Sequence, residues 1–248
     1  MADSKPAEPK SAAEIKRTLR CSECVVGDLC IALGSDASTL AKLDALLDIR
    51  EPIANDDHVI RQGDKFRGLF AVRRGCFKSY TIDRDGGEQV QGFHFPGELI
   101  GLEAVSRGTH GANVVALTAS ATCRLEYSEL LRISSCSAGL QEQLFRLFSS
   151  RLASQHWRTA DFPATERLAT FLLDVATRLA QRGHAGDAFE LVMARSDIAN
   201  YLGLATETVS RGFGRLASQG IIDVRRKRVC IKDRAALEAA AGSAAEIF

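Results

Sequence analysis

Cys21, Cys24 and Cys30 stand in a C-x2-C-x5-C spacing that lets one short loop aim three sulfurs at a single point. Cys123, about ninety residues further on, supplies a fourth sulfur and completes a tetrahedral S4 set. Thiolates are soft ligands, so the set suits zinc or an iron–sulfur cluster, and spacing alone leaves that choice open. Four thiolates gather four negative charges. A loop carrying three of them is poorly held without a metal, and loading the site is expected to order the N-terminal segment. The other cysteines, Cys76, Cys136 and Cys230, lie in apolar or mixed contexts and read as packing residues. Seven cysteines with no apolar leader segment point to reduced thiols and metal or redox chemistry rather than a disulfide framework.

A second constellation lies near the C-terminus. Residues 196–202 read as a short helix capped by Ser196; Gly203 breaks it, and Thr206 caps a second helix to about Ser218. At 100° per residue Glu207, Ser210 and Arg211 share one face, and Val209, Phe213 and Leu216 the opposite one. The polar face suits a DNA major groove. Arg211 can reach guanine O6 and N7, Glu207 can accept from cytosine N4, and Ser210 can touch a base edge or a thymine methyl. Residues 221–231 follow as a hairpin whose tip, Arg225, Arg226, Lys227 and Arg228, forms a cationic wing for phosphates. Between Arg195 and Arg234 nine Lys and Arg face four acids, a local surplus of five on a chain whose net charge is only +1.

The elements that must position these groups are legible in outline. The chain has 248 residues, 46% hydrophobic and 25% charged, enough for two modest globular domains. Residues 1–18 carry Pro6 and Pro9 and little hydrophobicity, the texture of a disordered tail. A short amphipathic helix is expected over 38–47. From 53 to about 128, apolar runs are split by glycine turns at roughly ten-residue spacing, as in antiparallel strands closing into a roll. Over 137–159, Leu144, Phe145, Phe148, Leu152 and Gln155 recur at three- and four-residue steps, the seam of a long helix facing a twin in a homodimer. A helix over 165–181 and a strand over 189–193 lead to the DNA-reading motif. The organisation expected is a tail (1–18), a cysteine-bearing sensor (19–135), a dimerisation helix (136–160), a winged helix-turn-helix domain (161–236) and a C-terminal tail (237–248). The fold class is α+β. No apolar run is long enough to cross a bilayer, so a cytoplasmic protein without a membrane partner is expected. No paired carboxylates, Ser/His/Asp arrangement or phosphate-cradling glycine loop points to an enzyme.

With these residues in view, the chain resembles the oxygen-responsive fumarate and nitrate reduction regulators of the cyclic AMP receptor protein superfamily. The resemblance runs from about Cys21 to Asp233. It is carried by the cysteine set, Lys78-Ser-Tyr-Thr-Ile, Glu88-Gln-Val-x-Gly-Phe-His, Gly97-Glu-Leu-Ile-Gly, Arg195-x-Asp-Ile-x-Asn-Tyr-Leu-Gly-Leu and Glu207-Thr-Val-Ser-Arg. It implies a cyclic-nucleotide-binding-like β-roll and a [4Fe–4S] cluster held by Cys21, Cys24, Cys30 and Cys123. It also implies an oxygen-labile dimer, acting as activator or repressor of anaerobic genes, that binds a two-fold TTGAT–N4–ATCAA site. Glu207, Ser210 and Arg211 match the family's base-reading positions. The turn holding Ile82, Asp83, Asp85, Gly86 and Gly87 matches a loop that touches RNA polymerase, although Gly87 replaces the family's aspartate.

Two further departures carry expectations. Val25, polar in some relatives, is expected to slow oxygen attack beside Cys24, with Leu29 also shielding the site. Gln155 replaces an acidic residue of the family's dimer helix. That removes a repulsion across the interface, and the metal-free chain is expected to dimerise more readily. Within the superfamily, a cyclic nucleotide needs an arginine–hydroxyl pair after Gly-Glu-Leu-Ile-Gly; 109–115 reads Thr-His-Gly-Ala-Asn-Val-Val and offers none. The rival readings of the metal site are structural zinc and a different redox or nitric oxide input.

Overall fold

Short apolar runs separated by turns produce eight strands in the N-terminal half: β1 (Asp48–Ile53), β2 (His58–Ile60), β3 (Gly68–Arg74), β4 (Phe77–Ile82), β5 (Glu88–His94), β6 (Leu99–Ile100), β7 (Asn113–Ala116) and β8 (Ser120–Glu126). The computed structural model describes residues 20–24, 26–159, 162–182 and 186–242, leaving out the side chains of Ser22 and 153–159. The tail read at 1–18, Val25 and the side chain of Gln155 therefore lie outside the described residues. The strands form two antiparallel four-stranded sheets, ordered β1-β8-β3-β6 and β2-β7-β4-β5. Phe70, Val72, Phe77, Ile100 and Val114 fill the space between them. The first sheet is covered on its outer side too, where Leu69, Ala71, Leu99 and Leu125 meet a layer of helices. Burial on both faces is why β3 reads as an unbroken apolar run from Leu69 to Val72.

That outer layer comprises α1 (Ala37–Leu46), capped by Asp36 accepting from Thr39 N, α2 (Tyr127–Ser134) and the start of α3 (Ala138–Thr159). α3 has two faces. Leu140, Leu144 and Leu147 pack on the core of the N-terminal domain. Phe145 and Leu152 are 74% and 68% exposed. Leu144, expected on the outward seam, thus turns toward its own domain, being a quarter-turn from Phe145.

The C-terminal domain contains α4 (Ala164–Ala180), β9 (Ala188–Glu190), α5 (Arg195–Leu202), α6 (Thr206–Ser218), β10 (Ile222–Arg225), β11 (Arg228–Ile231) and α7 (Arg234–Ala241). The last three strands pair antiparallel in the order β10-β11-β9. Four expectations need correction. Helix α5 begins at Arg195 rather than after a Ser196 cap, and Thr206 is the first residue of α6 rather than its cap; Ala194 and Ala205 precede them, with no side-chain cap. The strand ends at Glu190 instead of Met193. The supposed tail from 237 is folded as far as described: Asp233 caps α7 by accepting from Ala236 N, and Leu237 and Ala241 are wholly buried.

Candidate metal centre and nucleic-acid interface

A chain of tight turns delivers the N-terminal sulfurs. Cys21 opens a single 3-10 turn closed by Cys24 N donating to Cys21 O, and Gly27 N then donates to Cys24 O. Cys30 N donates to Val26 O at 3.0 Å. Asp44 on α1 anchors the start by accepting from Cys21 N at 2.6 Å. Cys123 comes from β8, where it lies opposite Ile49 on one side and Ala71 on the other. All four cysteines line one cavity of about 30 Å³, walled by Val26, Ile31, Leu43, Ala71 and Leu125. All seven cysteines are free thiols.

The electrostatics of this cavity disfavour bare thiolates. Burial pushes the Cys21 thiol well above its usual range, and the Asp44 charge adds to the effect. Burial raises Cys30 to about 11, with Cys24 contributing. Burial raises Cys123 to about 12, reinforced by Cys30 and opposed by Arg73. Each group is neutral at pH 7, so a metal must displace protons to bind and supply the charge that holds four thiolates together. Among the described residues, no three His, Cys, Asp or Glu side chains are grouped to chelate a single ion. The cavity offers a sulfur-only donor set in an apolar wall, and that chemistry fits an iron–sulfur group.

The cysteine segment is tied to its surroundings at two further places. Gln143, buried on α3, donates from Nε2 to Cys30 O at 3.1 Å. Leu29 packs against Gly97, where an added Cβ would lie 2.8 Å from Leu29 Cβ; Gly97 also has φ +89°. Only glycine meets both demands.

At the other end of the molecule Gly203, at φ +65°, turns α5 into α6. Val209, Phe213 and Leu216 are buried, so Thr206, Glu207, Ser210 and Arg211 are left on an open face. Arg195 lies over the Phe213 ring and braces the two helices. The wing is the β10–β11 hairpin, and residues 225–228 at its tip are all exposed. Lys227 O accepts from Leu191 N at 2.8 Å, which fixes the wing beside the helices. The turn between β4 and β5 is rigid. Asp83 Oδ1 accepts from both Asp85 N and Gly87 N, Gly86 has φ +83°, and Ile82 stands exposed beside it.

Local pattern did not reveal the junction between the two domains. Glu98 accepts from Arg178 at 2.7 Å and from Arg182 at 2.7 Å, and Arg178 also pairs with Asp174. Lys78 pairs with Asp197 at 2.9 Å. Asn200 accepts from Val90 N and donates to Glu88 O, so it occupies the edge of β5. The available signal was Arg178 and Arg182, one turn apart at the end of α4, yet nothing local assigns their partner eighty residues away.

A β-roll, a long helix with a bare apolar face and a winged helix-turn-helix together define a regulator that reads DNA. Comparison with known proteins agrees. Residues 166–240 match a Crp-like helix-turn-helix domain, and residues 50–135 match a cyclic nucleotide-binding domain. The chain is 36% identical over 229 residues to electron transport regulator A of Shewanella oneidensis, spanning 91% of this chain and 92% of that protein. It is 35% identical over 227 residues to the fumarate and nitrate reduction regulatory protein of Escherichia coli K12, spanning 90% and 91%. The solved structure of FixK2 from Bradyrhizobium japonicum superposes with a TM-score of 0.71 at 26% identity, covering 79% of this chain and 98% of that one. The chain belongs to the fumarate and nitrate reduction regulator family. It is a DNA-binding transcription regulator rather than an enzyme, and DNA binding and dimer formation go with that family. Among the described residues no helix is long and apolar enough to cross a membrane.

Proposed function

We propose that this regulator senses oxygen through a [4Fe–4S] cluster held by Cys21, Cys24, Cys30 and Cys123, and that the loaded form dimerises and binds a TTGAT–N4–ATCAA type site. The observation that carries this reading is the single sulfur-lined cavity, built from a turn-rich N-terminal segment and a strand nearly a hundred residues away. A bound cluster supplies an oxygen-labile iron centre. The chain's own residues do the rest. The cysteine sulfurs fix the N-terminal segment, and Gln143 links that segment to α3. The face carrying exposed Phe145 and Leu152 and half-buried Phe148 is the surface a second copy covers, and a two-fold dimer presents two copies of α6 to two half-sites. In that arrangement Glu207, Ser210 and Arg211 read bases, Thr206 and residues 225–228 hold the backbone, and the Ile82–Gly87 turn meets RNA polymerase. A cyclic nucleotide is not the input, because 109–115 lacks the arginine a cyclic phosphate needs.

Gel-shift binding to a TTGAT half-site duplex tests the reading, using anaerobically reconstituted and air-treated protein of known iron and sulfide content. Brown, iron- and sulfide-bearing protein that binds the duplex, and loses binding as its colour fades in air, is the expected result. A colourless zinc protein that binds equally in both conditions refutes it.

A further inference from the structure

The cysteine cavity has one charged residue in its wall among the described residues, Arg73. Strand β3 sends Leu69 and Ala71 toward the cysteine side of the sheet, and Ala71 lies opposite Cys123. Arg73 follows at the same alternation, where the pairing with β8 shifts register between Val72 and Arg74. Such an irregularity bends the strand and re-aims the side chains beside it. Arg73 lines the cavity together with all four cysteines, and its charge is felt at Cys123.

One nitrogen of this guanidinium is an anomaly. Arg73 Nη1 is buried and has no hydrogen-bond partner among the described residues. A buried N–H without an acceptor is costly, more so on a charged group, and arginine carries five donors and no acceptor of its own. The rest of the cavity wall is cysteine and apolar side chains. A negatively charged or sulfur-rich group held in the cavity would supply an acceptor on this side of the sheet.

We propose that Arg73 is the hydrogen-bond donor and counter-charge for the iron–sulfur group, acting on the Cys123 side of the site. This rests on the cluster reading given above. Four cysteinate ligands leave an iron–sulfur group net negative, and its potential and retention follow from net charge and hydrogen bonds to its sulfurs. Arg73 is a positioning residue: it holds charge and direction at the ligands and is not itself a ligand.

The test uses the full chain reconstituted anaerobically with iron and sulfide. Iron release to excess chelator under nitrogen is compared for the unaltered protein, Arg73→Met and Arg74→Met, the last being an exposed neighbour that controls for surface charge. Arg73→Met is expected to release iron about tenfold faster, the loss typical of an outer-sphere partner, with Arg74→Met unchanged. Release from Arg73→Met at the unaltered rate overturns the inference, as does an equal effect of Arg74→Met. Arg73→Gln keeps an N–H, drops the charge and decides the matter where the methionine variant folds poorly. Its cluster reduction potential is expected to fall, and an unchanged potential also overturns the inference. Unaltered protein that takes up no iron and sulfide sinks the cluster reading itself, and this inference with it.

Discussion

In the proposed reading Arg211 and Arg226 both present a positive charge to DNA, but their positions give them different work. Arg211 projects from the open face of α6, its Nε leaning back toward Glu207 O at 3.4 Å. A guanidinium placed there reaches base edges, where a good bidentate contact discriminates by about 1–3 kcal/mol. Arg226 sits at the exposed wing tip with φ +57°, a left-handed conformation that a non-glycine residue seldom adopts, and in the proposed reading it meets the phosphate backbone. Arg211→Ala is therefore expected to weaken a matched duplex roughly ten- to a hundredfold and to relax preference at one base position. Arg226→Ala should weaken matched and scrambled duplexes alike and lower the slope of log K against log salt by about 1. Fluorescence anisotropy across a salt series separates the two, and equal losses for both variants on both duplexes would contradict the division of labour.

Helix α3 couples two surfaces because its faces differ. Gly139 approaches Gly34 O closely, Gln143 holds Cys30 O, and Leu140 is wholly buried, so one face belongs to the sensor. Phe145 and Leu152 are left bare on the other. In a two-fold dimer each substitution counts twice. Leu152→Glu removes two buried leucines worth about 1.5–3 kcal/mol apiece, so the dimer should weaken at least about a hundredfold. Sedimentation of loaded protein checks this, and an unshifted dimer would place the interface elsewhere. Helix α3 was legible because Phe145, Phe148 and Leu152 keep the helical period. The exposed polar face of α6 was legible because Val209, Phe213 and Leu216 share one side of the wheel. The start of α5 was misplaced because Ala194 gives no capping signal, and α7 was missed because Leu237 is its only large apolar residue. The cysteine spacing pointed to the four cysteines that line one cavity but not to Arg73, whose place beside them depends on a sheet register that sequence does not display.

The two domains are not independent bodies in this structure. Phe93 of β5 packs with Phe171 of α4 and Tyr201 of α5, ring centroids 6.2 and 5.2 Å away, and the Glu98 network closes beside them. Glu98 immediately follows Gly97, the residue on which Leu29 of the cysteine segment rests. Sensor loop, roll and DNA reader therefore meet at one place. Burial pushes the Glu98 carboxyl up, but Arg178 and Arg182 outweigh burial and hold it at about 2. Asp174 is raised by burial, against the pull of Arg178, and buried His94 is held well below its usual range by burial and by Arg151. For Glu98 the sign is that of a depressed acid. Its contribution is complete above the unfolded value near 4.5 and is lost as pH falls from there toward 2. Glu98→Gln leaves two arginines facing a neutral amide, and loss of one partner from such a buried network costs about 3 kcal/mol. At pH 7 the variant should melt lower and exchange the amides of α4 and β5 faster than the unaltered chain. Between pH 4.5 and 2 the gap between the two should shrink, because protonation removes from the unaltered protein what the substitution has already removed. Equal melting and exchange at pH 7 would show that the ion network does not hold sensor and reader together. A gap that stays constant into acid would assign the loss to packing instead of charge.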